Sequence, residues 1–351
     1  MKGTPAKRDC VPKSQRFTPA EESGFVAFLI NLHARGFPPA TSEVAAMANL
    51  LLGQHGGGPV GKNWALKFIR RHSELQSAFA GEEDCHKDIR EDPLALEGWF
   101  KLLLDIVIRY DVIEGDIYSF DQTIFRMDVV TTPLVTTSAT PSGRPKKTGS
   151  GNKNCVSTIQ GINSQGRALP PFIIFGEDPH LKSWYNTSQL PPDWVLAFNN
   201  NGRATKDIYD HWIRHFDKNT RLRTIGSYRL LIFDAHSHHV SMYFQQYCKF
   251  NNILTLCMPP RSAHLLQPLE VRCLNPLEAA YHQVIDRKGG HKSRRITKLE
   301  FLAAYNEIYQ ASFTRDNIMS GFREAGLVPY NPDRVLRRRP SRTKIQATSG
   351  P

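Results

Sequence analysis

Two short apolar runs in this chain each end on an aspartate. Ile117-Tyr118-Ser119-Phe120 leads into Asp121, and Leu230-Leu231-Ile232-Phe233 leads into Asp234. Runs of this length and composition read as buried strands. A carboxylate placed at the end of such a strand is costly unless it is paired or coordinates a cation. A third acid, Glu270, follows the turn-rich Met258-Pro259-Pro260 and the segment Leu265-Leu266-Gln267-Pro268-Leu269. A fold that satisfies all three must bring distant parts of the chain to one place.

The order of elements suggests how. Ile117 to Asp121 reads as a first strand, and Phe125 to Val130 as a second after a tight bend. Thr131 to Lys153, rich in Thr, Pro, Gly, Ser and Lys, reads as an exposed loop. Within it, Gly143-Arg144-Pro145-Lys146-Lys147 is either a contact to a nucleic-acid backbone or a mobile basic loop. Val156 to Ile162 and Leu169 to Phe175 flank Asn163-Ser164-Gln165-Gly166, a hairpin signal. Thr205 to Leu222 is expected to be a helix burying Ile208, Trp212, Ile213 and Phe216, followed by a strand from Arg229 to Asp234. Val240 to Phe250 reads as a helix with Met242 or Tyr243 and Tyr247 inward. A strand from Ile253 to Met258 and a helix from Asn275 to Arg287 follow. Three antiparallel strands, then helix, strand, helix, strand, helix is the order of a ribonuclease H-like fold, so the expected class is α/β with a mixed sheet flanked by helices. In that order Asp121 lies on the central first strand, Asp234 ends the adjacent one, and Glu270 enters from the helical segment beyond the last.

Hard divalent cations prefer carboxylate oxygens, and two of them roughly 3.5–4 Å apart suit phosphodiester chemistry. Two Mg²⁺ or Mn²⁺ ions are therefore expected, with Asp121 bridging both and Asp234 and Glu270 each completing one side. The nucleophile would be water or a DNA 3′-hydroxyl. His236, His238 and His239 follow Asp234 without a nearby Cys, which disfavours a zinc site. A general-base or DNA-contact role for His236 or His239 stands beside a plain loop-end placement. Ser237 lacks the context of a hydrolase nucleophile.

Upstream the pattern is all-α. Thr18-Pro19-Ala20-Glu21 combines an N-cap, a Pro at the first helical position and a capping-box Glu. Phe25, Phe28, Leu29 and Leu32 share one face of that helix, and Gly36 with Pro38 ends it. A second helix from Thr41 or Ser42 turns Val44, Met47, Ala48 and Leu51 inward. The third, Val60 to His72, pairs Trp64 with Phe68 and carries Lys62, Lys67, Arg70 and Arg71. Three short helices with a basic last one form a helix-turn-helix pattern, whose cations meet phosphates. A solvated basic face has the same signature. Leu94 to Tyr110 resumes a helical stripe through Leu96, Trp99, Phe100, Leu103, Ile106 and Val107, expected to pack on the following sheet.

The chain's 351 residues carry 45 Lys and Arg against 33 Asp and Glu, a formal +12 that favours a polyanionic partner. Six scattered cysteines form no C-x-x-C pair, which fits a reducing compartment better than a disulfide framework. No apolar stretch reaches the ~18 residues of a membrane span, and Met1-Lys2-Gly3-Thr4-Pro5 lacks a signal peptide's apolar core. A soluble, intracellular protein is expected.

Several segments resemble one family. Ile117 to Thr123, Arg229 to His239 and Pro259 to Val271 resemble the three acidic motifs of the DDE endonucleases of the pogo, Tigger and Jerky group. Phe322 to Pro332 is similar to that group's closing helix motif, Asn163 to Pro171 to its hairpin, and Thr18 to Leu75 to a CENP-B-type helix-turn-helix. The resemblance implies a transposase-derived protein with a flexible basic arm (1–16), a DNA-binding domain (17–80), a linker and lead-in helix (81–115), a DDE domain (116–333) and a disordered basic tail (334–351). Its tail, with Arg337-Arg338-Arg339, reads as a nuclear import signal, a phosphate clamp or a solvated end. Implied with it are double-stranded DNA as partner, no membrane, a nuclear location, and Lys62, Asn63, Trp64, Lys67, Arg70 and Arg71 as DNA contacts; a homodimer is left open. Relatives commonly carry Glu where Gln122 stands, Gly at Ala235, Asp at Glu270 and Gly at Arg272. Strand cleavage and transfer is the leading expectation, and a domesticated, inactive DNA binder the alternative.

Overall fold

In a computed structural model of the protein, residues 16–80, 93–127, 155–176, 190–234, 241–288 and 297–337 are described. The chain divides into two compact units, residues 1–90 and 91–351. The expectations for the N-terminal arm, the first part of the 81–115 linker, the 131–153 loop, His236 to His239 and the end of the basic tail lie outside the described residues.

The first unit holds helices α1 (Pro19–Ala34), α2 (Thr41–Gln54), α3 (Trp64–Arg71) and α4 (Ser73–Ala80). Helix α1 opens as its sequence dictates. The Thr18 amide donates to Glu21 Oε2 at 2.8 Å and the Glu21 amide to Thr18 Oγ1 at 3.3 Å, so two amides that the helix leaves unpaired are satisfied reciprocally. Phe25, Leu29 and Leu32 are buried as expected, joined by Val26 in place of the half-buried Phe28. In α2 the core residue is Leu52, eight after Val44, while Leu51 stays half-buried. Helix α3 is shorter than its pattern suggested, because residues 61–63 form a turn whose Gly61 carbonyl accepts from the Trp64 amide. Asn49 Oδ1 takes the Val60 amide at 2.7 Å. The fourth helix was not foreseen. Its buried anchor is Leu75 among polar neighbours, too little for a legible stripe.

The second unit begins with α5 (Pro93–Arg109), which buries Leu96, Trp99, Phe100, Leu103 and Ile106. Its strands are β1 (Ile117–Arg126), β2 (Cys155–Asn163), β3 (Arg167–Ala168), β4 (Phe172–Gly176), β5 (Val195–Asn199), β6 (Arg229–Phe233) and β7 (Ile253–Cys257). Helix α6 (Lys206–Thr220) precedes β6, and α7 (Met242–Phe250) precedes β7. Short helices α8 (Ala263–Leu266) and α9 (Pro268–Arg272) then lead to α10 (Leu274–Lys288), α11 (Lys298–Ser312), α12 (Arg315–Glu324) and α13 (Asp333–Leu336). The sheet runs β5-β4-β2-β1-β6-β7, with β3 beside β2. Strands β1, β2 and β4 are antiparallel, and β6 and β7 join β1 in parallel. This is the ribonuclease H-like arrangement, a mixed sheet flanked by helices, with β5 added in parallel at the β4 edge.

Two readings are corrected here. No bend divides β1: it pairs with β2 without a break from Tyr118 to Arg126. The polar Asp121-Gln122-Thr123 looks like an interruption by hydropathy, yet ladder hydrogen bonds are indifferent to side-chain polarity. In α7 the buried face is Phe244, Gln245 and Cys248, with Tyr243 exposed. Both tyrosines sit at the rim because their hydroxyls take polar partners there. Tyr243 accepts from Arg214 Nε at 2.7 Å, and Tyr247 donates to Asp217 Oδ2 at 3.1 Å.

Strand alternation sets what each sheet face carries. Tyr118 and Phe120 meet α6, with ring centroids 5.1 Å from Phe216 and 4.0 Å from Trp212. Ile117, Phe125, Leu230 and Ile232 join the core built with α5 and α10 to α12. Ser119, Asp121 and Asp234 belong by alternation to this second face.

Candidate active site

The β1–β6 register is what positions the two aspartates. Ser119 lies opposite Ile232. Two residues further along these parallel strands, Asp121 comes level with Asp234, just past the end of β6. The tilted contact of Phe120 with Phe233 on the other face, 4.7 Å between centroids, confirms that the register continues. Both aspartates are half-buried. Asp121 Oδ1 accepts from the Gln122 amide at 2.7 Å.

Glu270 reaches the same region by a different route. It sits in α9, whose N-cap is Gln267 and whose first helical residue is Pro268. Gln267 is fully buried and grips β1 twice: its Oε1 accepts from Ser119 Oγ, and its Nε2 donates to the Phe120 carbonyl at 3.0 Å. On its other side α9 lies against α12, so closely that a Cβ on Gly321 would fall 2.5 Å from the Pro268 carbonyl oxygen. Arg272 leaves the site: its Nε donates to Glu324 Oε1 of α12 at 2.8 Å. Glu270 lines an open cleft of about 460 Å³ with His264, Glu278 and Glu324. Among the described residues no three His, Cys, Asp or Glu side chains are gathered tightly enough to hold a metal ion. The structure therefore sets Asp121 beside Asp234 and ties Glu270's helix to the same strand, without closing the three into one set.

Two neighbours of the aspartates, Tyr209 and Cys257, are held neutral. Burial, then the charge of Asp121, pushes the Tyr209 phenol well above its usual range, so it remains a donor and reaches Gln122 Oε1 at 3.1 Å. Burial, then Asp234, likewise pushes the Cys257 thiol up and keeps it protonated. As a donor set, three carboxylates with no thiolate or imidazole among the expected ligands suit hard cations such as Mg²⁺ or Mn²⁺. The residues fit that class of ion by chemistry. Sequence reading missed Ser119 and Gln267. Their one visible signal is a polar residue inside each of two apolar runs.

In the first unit, Lys62, Asn63, Lys67 and Arg70 are exposed on and before α3. Trp64 is turned inward instead, stacked on Phe68 at 4.7 Å and edge-on to Phe17 at 5.5 Å. Arg71 is exposed too, but it is tied to α1: its Nη2 lies 2.8 Å from Glu22 Oε1, which His72 Nε2 also meets at 2.8 Å, and its guanidinium covers the Phe68 ring. Glu22 went unnoticed in the sequence although it falls on the buried stripe, three residues before Phe25.

Residues 152–322 match the family model of the DDE superfamily endonuclease. The matched stretch contains Asp234 and Glu270, and Asp121 precedes it. The chain is 40% identical over 334 residues to MFS-type transporter clz9 of Cochliobolus lunatus, covering 95% of this chain and 32% of that protein. It thus spans about a third of that relative's length, and no helix among the described residues is long and apolar enough to cross a membrane. Among solved structures, the Mos1 transposase paired-end complex with the left transposon end is similar at a TM-score of 0.42 and 11% identity, over 93% of this chain and 80% of that one. The Mos1 transposase catalytic domain solved with Raltegravir and Mg gives a TM-score of 0.40 at 11% identity, over 71% and 94%.

Proposed function

We propose that the second unit is a metal-dependent DNA endonuclease of the transposase type and that the first unit binds double-stranded DNA. The observation that carries the catalytic reading is the register that sets Asp121 level with Asp234, in a ribonuclease H-like sheet whose matching family model is a DDE endonuclease. Asp121, Asp234 and Glu270 would hold two divalent cations, Mg²⁺ or Mn²⁺. Such ions, when bound, supply Lewis acidity to the attacking and leaving oxygens of a phosphodiester displacement. Asp121 and Asp234 would hold the ions from the adjacent ends of β1 and β6, and Glu270 would complete the set from α9. No side chain need act as nucleophile, so water serves for cleavage and a DNA 3′-hydroxyl for transfer.

Lys62, Asn63, Lys67 and Arg70 are the phosphate and groove contacts of the first unit, since their side chains are exposed, while Trp64 packs on Phe68 and the exposed Arg71 is engaged by Glu22 and holds α3 in place. The formal +12 charge and the basic run Arg337-Arg338-Arg339 support work on duplex DNA in the nucleus. One observation favours a second reading, an inert DNA binder: the three acids do not close into a ligand set among the described residues.

The deciding experiment is a nicking assay of the full chain on duplex DNA with Mg²⁺ or Mn²⁺, beside Asp121→Ala and Asp234→Ala. Divalent-dependent nicking lost in both variants is expected. An inert parent across several DNA substrates would leave only the binder.

A further inference from the structure

We infer that Gln267 is a positioning residue that sets the reach of Glu270 toward the Asp121–Asp234 pair; this rests on the metal-dependent reading above.

The argument begins with burial. A fully buried carboxamide must find partners for its donors and acceptor. Gln267 finds both on one strand, and both lie just ahead of Asp121. Ser119 Oγ donates to its Oε1, and its Nε2 donates to the Phe120 carbonyl. Ser119 is itself fully buried. A leucine of similar size would fill the same volume, so packing alone does not call for an amide here. What the amide adds is direction: it fixes the start of α9 relative to the backbone that carries Asp121. Glu270 follows three residues later, within the first turn of the helix whose N-cap position Gln267 occupies.

The opposite side of α9 is equally constrained. Gly321 leaves no room between α12 and the Pro268 carbonyl, and the Arg272–Glu324 ion pair joins the end of α9 to α12. Helix α9 is thus held between a strand and a helix, and the Gln267 grip is its polar link to the strand. Outer residues that orient metal ligands typically alter affinity by about 10- to 100-fold when removed.

The test uses the full chain. Gln267→Leu and Ser119→Ala are compared with the parent by calorimetric titration of Mn²⁺, by the Mn²⁺-induced rise in Tm, and by nicking rate against Mn²⁺ concentration. Gln267→Leu is expected to weaken Mn²⁺ binding about tenfold or more, with the nicking rate recovered at saturating Mn²⁺. Ser119→Ala, which keeps the bond to the Phe120 carbonyl, should shift the Mn²⁺ midpoint in the same direction by less, so the inference stays testable if Gln267→Leu does not fold. If both variants keep the parent's Mn²⁺ midpoint while Asp121→Ala loses Mn²⁺ binding, the positioning role is refuted and the metal site stands. A parent that binds no Mn²⁺ at all overturns the metal site, and the positioning role with it.

Discussion

Arg71→Ala separates the structural cation of the first unit from those proposed to contact DNA. The Glu22 side chain is only 11% exposed, and its Oε1 meets both Arg71 and His72 at 2.8 Å. Removing Arg71 takes a charged partner from a largely buried carboxylate that His72 also meets. An under-satisfied buried polar group costs about 1–3 kcal/mol. Arg71 is itself 38% exposed, which puts the loss below that for breaking a fully buried pair, so a value near 2 kcal/mol is expected. For a unit this small that corresponds to a fall in Tm of roughly 8–16 °C. Lys67→Ala and Arg70→Ala, at exposed positions, should change stability by less than about 0.5 kcal/mol. Their effect falls on DNA: each should weaken binding and reduce the salt slope by about one. Hydrogen exchange of the α1 and α3 peptides in the full chain reads the local stability, and fluorescence titration of duplex DNA at several salt concentrations reads the slope. The reasoning fails if Arg71→Ala leaves exchange in α1 unchanged while flattening the salt slope as Arg70→Ala does.

Three other outcomes are expected. Arg229→Met should cost about 3–5 kcal/mol by stranding Asp217, since the Arg229 Nη2 to Asp217 Oδ1 contact of 2.8 Å is almost wholly buried; Arg229→Met with Asp217→Leu should recover much of that loss in chemical denaturation. Gly321→Ala should cost about 1–3 kcal/mol, because the Pro268 carbonyl it would meet is backbone and has little freedom to retreat; calorimetric Tm checks this. Burial lowers the His215 pKa below 6.5, partly offset by its 2.8 Å bond to the Pro170 carbonyl. The folded state therefore binds the proton less readily than the unfolded chain. That contribution is present above pH 6.5 and lost as pH falls below it. Tm profiles from pH 7.5 to 5 should be flatter for His215→Gln than for the parent.

The parts of this fold legible in sequence were those where one periodicity acts alone. Thr18-Pro19-Ala20-Glu21 announced α1 because capping is local chemistry, and Asn163 to Gly166 announced the hairpin because Gly166 takes φ +85°, a conformation glycine adopts at little cost. Strand β5 stayed hidden. Val195-Leu196-Ala197-Phe198 is a short apolar run whose strand character depends on its parallel pairing with β4, a long-range fact. The site divides in the same way. Asp121 and Asp234 stood out because a carboxylate ending an apolar run is costly, whereas the ties of Arg71 to Glu22 and of Gln267 to Ser119 join residues far apart in sequence, and no spacing rule connects them.

Gln122 shows how placement decides what a missing charge means. Where the family resemblance implies Glu, this chain carries Gln122, and from sequence alone that removes one negative charge from the proposed centre. The structure turns Gln122 away from the pair: it follows Phe120 on the α6 face, and its Oε1 accepts from Tyr209 at 3.1 Å. Asp121 and Asp234 belong to the opposite face, the one that Gln267 and α9 approach. A carboxylate at position 122 would accept from the same neutral phenol, with the strand between it and the proposed cation site. Gln122→Glu should therefore leave the Mn²⁺ midpoint of nicking unchanged, while the added charge raises the Tyr209 pKa further. A Gln122→Glu protein whose Mn²⁺ midpoint falls about tenfold would show that the 122 side chain crosses to the metal side and that the amide is the reason for any weak activity of the parent.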